Sequence, residues 1–464
     1  MPNGITFTIR LSLKDPVMTQ HHEAAEHNGN ADHEGTKEGL SRRQFLGLAG
    51  LGALTLGLGG GGGFALGRHA GDGIDSDVMK KTYEFRGEHQ QGIITPAQQQ
   101  MHTAAFDLTT TNRDTLIELL QDWTLAAERM THGELVKDYT TSLTKAPADT
   151  GESMGLGPAG LTITFGVGKT LFVDDEGRDR FGLGDKLPVA LRDGIPPMAA
   201  EKLDPKRGGG DLIIQACSED PMVNLHALHN LTRIAFGRAT MRWTQLGYGR
   251  TSSTSKSQET PRNLFGFKDG TSNIKAEDSQ AELDKHLWIQ AGDDQGSWAA
   301  GGSYMCVRKI KMMMEVWDDL VLAEQEQIIG RDKIHGAPLS GGEEFTNPDF
   351  AKEGQEGNPT VGSSGLAIAP DSHVAMMNPN NNSGRRMLRR GYNYLEGVDY
   401  LGRLDAGLFF VAYVRNPAEG FIPVLAKMKS DQLTEYLQHL ASGVYLMFPG
   451  VKETDTYVGQ KLFE

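Results

Sequence analysis

The sequence has little cysteine and no excess of positive charge. Its 464 residues include only 2 cysteines, Cys217 and Cys306, which allow at most one disulfide and form no Cys-x-x-Cys metal motif. Acidic residues outnumber basic ones by 60 to 46, and the formal net charge of −14 opposes binding to nucleic acid. No dinucleotide-binding glycine fingerprint follows a predicted strand, and no Gly-x-x-x-x-Gly-Lys-Ser/Thr loop is present. Disulfide scaffolds, zinc ribbons, nucleic-acid binding and nucleotide chemistry therefore have no support.

Residues 1–75 are predicted to be a leader. Arg42 and Arg43 precede an uncharged stretch, residues 45–66, in which nine glycines lower both hydrophobicity and helix propensity. A paired arginine before a weakly apolar segment is typical of a twin-arginine export signal rather than of a permanent membrane anchor. We therefore expect export by the twin-arginine pathway to the periplasm or the extracellular side.

Strand-like and helix-like segments alternate after the leader. Strands are predicted at 103–108, 161–167, 211–216, 303–314 and 407–414. Helices are predicted from the cap residues at 111–114 to Ala127, from Val223 to Ile234, at 317–328 and at 431–440. The polar stretch 249–259 predicts an exposed loop between two halves. This order favours an α+β architecture with a sheet in each half, divided into domains 76–262 and 263–464.

Four segments carry residues suited to chemistry. The first, 266–273, is a loop whose glycines allow close approach of the backbone to a flat or anionic ligand, although such Asp-Gly turns are common. The second, 371–379, contains His373, and a single histidine among apolar residues is more often structural than a ligand. The third, 387–392, holds an arginine pair, and the fourth, 405–413, is by default a core strand. Taken singly, each segment favours an ordinary structural role.

In this order and spacing the four segments resemble the dye-decolourising haem peroxidases, especially the exported subgroup that includes the deferrochelatase/peroxidases of bacterial iron uptake. The likeness begins at 92–98 and continues through 211–217 and 330–331 to the end of the chain. The resemblance implies two ferredoxin-like domains that form a dimeric α+β barrel. It also implies one haem b per chain, held mostly by the C-terminal domain.

The resemblance assigns roles to individual residues. His373 would be the proximal ligand of the haem iron, and Asp269 and Arg389 the distal polar pair. Leu408 and Phe410 would form part of the apolar distal wall. The residues expected to line the haem or hold its propionates are Gly270, Thr271, Ser272, Arg331, Asn378, Pro379 and Asn380. Ala375 stands where the family often has an arginine.

The residue types suit peroxide chemistry. A proximal imidazole leaves the opposite iron position open, and a hydrogen bond to its other nitrogen raises its basicity. Asp431 is a candidate for that bond by position alone. On the distal side, the Asp269 carboxylate can relay a proton, whereas the permanently charged Arg389 stabilises negative charge as the oxygen–oxygen bond breaks.

The predicted function is reduction of hydrogen peroxide coupled to oxidation of organic donors such as dyes and phenolics. Two alternatives stay open: a deferrochelatase that releases iron from haem, and a non-catalytic haem- or iron-delivery component with a membrane partner in iron uptake. A homodimer is also compatible with the resemblance. Four other features are interpreted as ordinary structure, namely the helical pair His226 and His229, the run 312–314, Trp317 and Tyr392.

Overall fold

The computed structural model describes residues 76–464, except 139, 141, 199–200 and 294–295. The predicted leader with its twin-arginine signal lies outside the described residues. Within them, no helix is long and apolar enough to cross a membrane.

The described residues form nine strands, twelve α-helices and several 3₁₀ turns. The strands are β1 Gln100–Leu108, β2 Thr162–Val167, β3 Leu212–Ser218, β4 Ala239–Arg250, β5 Ser303–Met312, β6 Leu388–Arg389, β7 Tyr392–Val398, β8 Leu404–Val414 and β9 Leu437–Met447. The helices are α1 Ser76–Met79, α2 Arg113–Thr131, α3 Lys169–Phe172, α4 Val189–Asp193, α5 Pro221–Ala235, α6 Gln280–His286, α7 Met314–Asp318, α8 Leu322–Ile329, α9 His373–Met377, α10 Pro417–Gly420, α11 Ile422–Leu425 and α12 Gln460–Phe463.

One antiparallel sheet runs through both halves of the chain and closes on itself. Its order is β5-β9-β2-β3-β1-β4-β7-β8, and β8 returns to pair with β5, while the short β6 extends the pairing of β8. The halves join where β2 pairs with β9 and where β4 pairs with β7. The α+β barrel architecture is thus confirmed. The interpretation of a separate sheet in each half is wrong, because hydrogen bonds between the halves leave neither sheet with two free edges.

The two long helices cover the N-terminal part of the barrel. Helix α2 begins where the Asn112 side chain accepts hydrogen bonds from the first-turn amides, and its apolar face is buried. Trp123 on this face packs against Phe106 of β1 and Phe165 of β2, and its indole Nε1 donates to Leu231 O of α5 at 2.8 Å. This packing fixes the helices on the outer face of the sheet.

Most predicted elements are confirmed, with shifted ends. The strands predicted at 103–108, 161–167, 211–216 and 407–414 correspond to β1, β2, β3 and β8. The strand predicted at 303–314 ends at Met312, since Met314 already begins α7. The helix predicted at 317–328 is two helices, α7 and α8, with Val321 in extended conformation between them.

The helix predicted at 431–440 is wrong. A short 3₁₀ turn, Gln432–Tyr436, leads directly into β9. Burial then alternates from Leu437 through His439 to Ala441, which is the period of a strand. In the sequence, the apolar residues fit the period of a helix as well as that of a strand. Pairing with β5 along the whole of β9 selects the strand.

The exposed loop predicted at 249–259 is confirmed only at its end, where residues 256, 257 and 259 are exposed. Residues 249–250 end β4, and residues 251–255 are buried. Residues distant along the chain satisfy Thr254 in this segment: its Oγ1 donates to Thr95 O at 2.7 Å and accepts from Ala97 N at 2.9 Å. Polar residues can therefore line a buried connection when the backbone supplies their partners.

Candidate functional site

A large cavity lies over one face of the C-terminal strands. Alternate residues of β5, β8 and β9 form its apolar floor, including Ile310, Met312, Leu408, Phe410 and Leu437. The walls surround about 1550 Å³ of empty space, part of it continuous with solvent. A cavity of this composition suits a largely apolar ligand with a few polar attachment points.

His373 occupies the wall of this cavity at the start of α9. Its Nδ1 lies 2.7 Å from Asp431 Oδ2, and the Asp431 carboxylate is buried. The other oxygen of Asp431 accepts from Leu433 N at 2.9 Å, so the 3₁₀ turn before β9 fixes the carboxylate. Burial alone would lower the pKa of His373, but attraction to Asp431 and the hydrogen bond outweigh it and raise the pKa. Among the described residues none bonds Nε2, so this nitrogen is available to a ligand or metal.

Asp269 and Arg389 form an ion pair in the same cavity. Arg389 Nη1 donates to Asp269 Oδ1 at 2.7 Å, and about a quarter of each side chain is exposed. Both charges act on the pKa of His373, Asp269 raising it and Arg389 lowering it. The three predicted key residues are therefore brought into one site.

Asn273 ends the segment 266–273 and was given no role of its own from the sequence, but it clamps the backbone of Arg389. Its Oδ1 accepts from Arg389 N at 2.7 Å and its Nδ2 donates to Arg389 O at 2.8 Å. The same Nδ2 lies 3.0 Å from Ser253 O in the buried connection. This single amide therefore ties the loop that carries Asp269 to the strand that carries Arg389.

Most other predicted site residues also line the cavity. These are Gly270, Thr271, Ser272, Arg331, Asn378, Pro379, Leu408 and Phe410. Asn380 is exposed and is not among the lining residues, so its expected contact is not supported. Arg331 is buried, and its Nη1 donates to Gly336 O at 2.6 Å and Glu344 O at 2.8 Å. Thr271 Oγ1 is a buried oxygen that has no hydrogen-bond partner in the described chain.

The residues interpreted as ordinary structure keep that role. His226 is buried against Asp149 at 2.9 Å rather than exposed, while His229 pairs with Glu152, and no three-residue metal cluster occurs among the described residues. Trp317 is buried and stacks on Phe265, whose ring centroid is 4.4 Å away.

Two further residues correct or extend the sequence interpretation. Tyr392 is buried in the barrel interior, where its hydroxyl contacts Cys217 Sγ at 3.6 Å. Arg390 is likewise fully buried, and its guanidinium donates to Thr95 O and Gln98 Oε1, so only Arg389 of the arginine pair lines the cavity. Lone residues of this kind give no signal in the sequence, because their burial depends on strands distant along the chain.

The arrangement combines three chemical capabilities. His373 offers a free nitrogen whose ring is oriented by a buried carboxylate, which is the pattern of a metal ligand with its supporting residue. Asp269 can accept and return a proton, and Arg389 can stabilise a developing negative charge. The apolar walls lower the polarity around these groups, which strengthens their electrostatic effects.

Comparison with known proteins gives consistent matches. A family model described as Dyp-type peroxidase, N-terminal, matches residues 90–249, and one described as Dyp-type peroxidase, C-terminal, matches residues 260–452. A deferrochelatase of Shigella sonnei is 35% identical over 93% of this chain and 98% of that protein. A deferrochelatase of Escherichia coli K12 is 34% identical over 93% and 98%.

Solved structures match over similar lengths. A DyP-type peroxidase from Streptomyces coelicolor superposes with a TM-score of 0.74 at 36% identity, covering 85% of this chain and 100% of that chain. Ferric DtpA from Streptomyces lividans has a TM-score of 0.73 at 36% identity, covering 84% and 99%.

Proposed function

The chain belongs to the Dyp-type peroxidase family, and we propose that His373, Asp269 and Arg389 carry its reaction, the reduction of hydrogen peroxide coupled to oxidation of an organic donor. The family membership makes the chain a haem-dependent enzyme and favours it over a non-catalytic carrier. The distal pair also favours turnover, because haem storage requires neither a proton relay nor a stabiliser of developing charge.

The residues of the cavity fit a haem. Its floor is apolar, His373 Nε2 is free, and Thr271 Oγ1 is buried without a partner among the described residues. We infer that His373 holds the iron and that the backbone of 270–272 lies against the porphyrin. Arg331, Asn378 and Pro379 are proposed to border it, with Leu408 and Phe410 on the opposite wall. A bound haem supplies the redox chemistry that splits peroxide and accepts electrons from the donor.

The chain's own groups then have separate tasks. Asp431 orients the His373 ring and increases the basicity of its nitrogen, since its buried carboxylate accepts the Nδ1–H hydrogen bond. Asp269 takes a proton from one peroxide oxygen and returns it to the oxygen that leaves. Arg389 holds Asp269 in place and stabilises the negative charge on the departing oxygen.

The Asp269–Arg389 pair inside the His373 cavity is the observation that carries this proposal. Asp269→Asn keeps the shape but removes the base, so we expect the bimolecular rate constant with hydrogen peroxide to fall by about 10²- to 10⁴-fold. Arg389→Lys keeps a charge but loses the planar fork, and a fall of about 10²-fold is expected. Stopped-flow absorbance of the haem-loaded protein measures both.

A matched control is available in the same half of the chain. Asp293 pairs with Arg415 at 2.5 Å and lies outside the cavity lining. Asp293→Asn should therefore leave the rate constant unchanged. Full peroxide reactivity in both Asp269→Asn and Arg389→Lys would show that the distal assignment is wrong.

Release of iron from haem is a second candidate, because the deferrochelatases above are similar along 93% of this chain. This activity would leave free porphyrin, whose fluorescence is quenched while iron is bound. Accumulation of intact porphyrin without added peroxide would favour iron release, whereas dye oxidation with intact haem favours the peroxidase.

Three further proposals concern export, the domain boundary and partners. Arg42 and Arg43 support export through the twin-arginine pathway, to the periplasm or outside the cell. The end of β4 at Arg250 and the two family matches support a domain boundary near 262. A homodimer and a membrane partner in iron uptake are proposed from the family resemblance.

A further inference from the structure

A β-bulge aims His439 into the cavity. Ile310 of β5 lies opposite His439, but the preceding Lys309 lies opposite Ala441, so Leu440 is an extra residue in β9. A bulge bends its strand and redirects neighbouring side chains, and bulges are frequent beside functional sites. His439 is only 3% exposed, and it lines the cavity beside Ile310.

A segment from the N-terminal half holds this bulge in place. Lys202 N donates to His439 O at 2.9 Å, and Asp204 N donates to Leu440 O at 2.9 Å. The Glu201 carboxylate reaches the guanidinium of Arg308, which is itself buried and lines the cavity. A buried ion pair and two backbone bonds therefore fix the position of the histidine.

The hydrogen bonds determine which ring nitrogen of His439 carries the proton. Arg308 Nε donates to His439 Nδ1 at 3.1 Å, and Arg308 Nη1 donates to Ser442 Oγ at 2.9 Å. An arginine is always protonated and can only donate, so Nδ1 must accept and the proton of the neutral ring lies on Nε2. Burial, with the charge of Arg308, lowers the pKa of His439 to about 4, which keeps the ring neutral at pH 7.

The Nε2–H group has no partner. No hydrogen bond of the described residues involves this atom, although the ring is almost fully buried. His439 lines the cavity, so a ligand bound there can supply the acceptor that the described chain does not. The surrounding floor is apolar, with Ile310, Met312 and Leu437 nearby in the strand register.

We propose that His439 and Arg308 form a carboxylate subsite at the β5–β9 end of the cavity. His439 Nε2 donates to a carboxylate oxygen, Arg308 keeps the proton on that nitrogen by donating to Nδ1, and the apolar floor contacts the flat body of the same ligand. This inference rests on the proposed haem function, which supplies two sources of such a group: a propionate of the porphyrin, or the carboxylate of an aromatic acid bound as electron donor.

The test compares acids with their esters. Apo-protein is titrated with haem and with haem dimethyl ester, followed by Soret absorbance, and KM is measured for an aromatic phenolic acid and its methyl ester. His439→Phe and His439→Asn both remove the donor at Nε2, and the smaller polar Asn serves where Phe fails to fold. His439→Gln retains an N–H group near that position and should restore binding.

Two results support the subsite and identify its ligand. If the porphyrin is held, loss of the donor weakens haem about 10- to 100-fold and leaves the dimethyl ester unchanged. If the donor is held, haem affinity is unchanged while KM rises for the acid alone, with kcat preserved. In either case His439→Gln recovers most of the loss.

Other results would contradict the carboxylate subsite. Equal effects on acid and ester, or no effect on either, would show that His439 is only a packing residue. His102, a buried histidine of β1 bonded to Thr244 Oγ1 at 2.9 Å and outside the cavity lining, provides the control, and His102→Phe should change neither readout. A wild-type protein that shows no Soret change with haem would instead overturn the haem function itself.

Discussion

At the scale of single residues, the site depends on carboxylates that orient basic side chains. Asp431 fixes the ring of His373, and Asp269 fixes the guanidinium of Arg389. The sequence predicted both pairs, one by position and one from the family resemblance. It could not predict His439, since that residue lies in a strand whose apolar pattern also fits a helix.

Asp431→Asn tests the first of these pairs. The asparagine amide keeps the shape of the side chain and can still accept the hydrogen bond from Leu433 N. It removes the negative charge that raises the pKa of His373. We expect haem to remain bound, its reduction potential to rise, and the rate constant with peroxide to fall by about 10-fold. Spectroelectrochemistry and stopped-flow absorbance measure the two effects.

Asp371 is the matched control for this substitution. It accepts from Gln432 Nε2 at 2.6 Å in the same turn but is exposed and does not contact His373. Asp371→Asn should leave both quantities unchanged. An unchanged reduction potential in Asp431→Asn would show that Asp431 does not tune the haem through His373.

At the scale of elements, the loop 266–273 depends on backbone geometry more than on its side chains. Gly270 has φ of +87°, and a Cβ added there would lie 2.9 Å from Ser252 Cα. The loop therefore packs directly on the buried connection 251–255. The sequence indicated a tight glycine turn, but it predicted this connection as exposed, because only the folded chain supplies acceptors and donors for its hydroxyls.

Gly270→Ala should displace this loop. Backbone strain at positive φ costs about 1–2 kcal/mol, and the contact with the Ser252 backbone adds to it. We expect a loss of unfolding free energy above about 2 kcal/mol in chemical denaturation, with reduced haem affinity.

Gly365→Ala separates the two causes. Gly365 has φ of +71° and nothing within 4 Å of its added Cβ, so this variant carries the strain without the contact. It should lose less stability and keep its haem affinity. Equal losses in the two variants would contradict the close packing of the loop.

At the scale of the whole molecule, both halves build one closed sheet. The α+β class could be predicted from the alternation of segments, whereas the closure could not. It depends on β2 pairing with β9 and β4 with β7, contacts between residues far apart in the sequence that no local pattern encodes. The carboxylate subsite also depends on both halves of the chain. Glu201 of the N-terminal half pairs with Arg308 and lies beside His439 of the C-terminal half.

The proposed export also concerns the whole molecule, because the twin-arginine pathway carries folded proteins. Replacing Arg42 and Arg43 by lysine should strongly reduce the exported fraction while leaving the haem content of the cytoplasmic protein intact. Cell fractionation with immunoblotting measures this. Unchanged export of the double variant would exclude the twin-arginine assignment.

The central claim is that His373 holds a haem at which peroxide is reduced. The most direct measurement is the absorption spectrum of the full chain titrated with haem, before and after one equivalent of hydrogen peroxide, for wild type and His373→Ala. We predict a Soret band that saturates at one haem per chain and changes on peroxide addition in the wild type, and loss of both in the variant. Full haem occupancy and unchanged peroxide reactivity in His373→Ala would contradict the account.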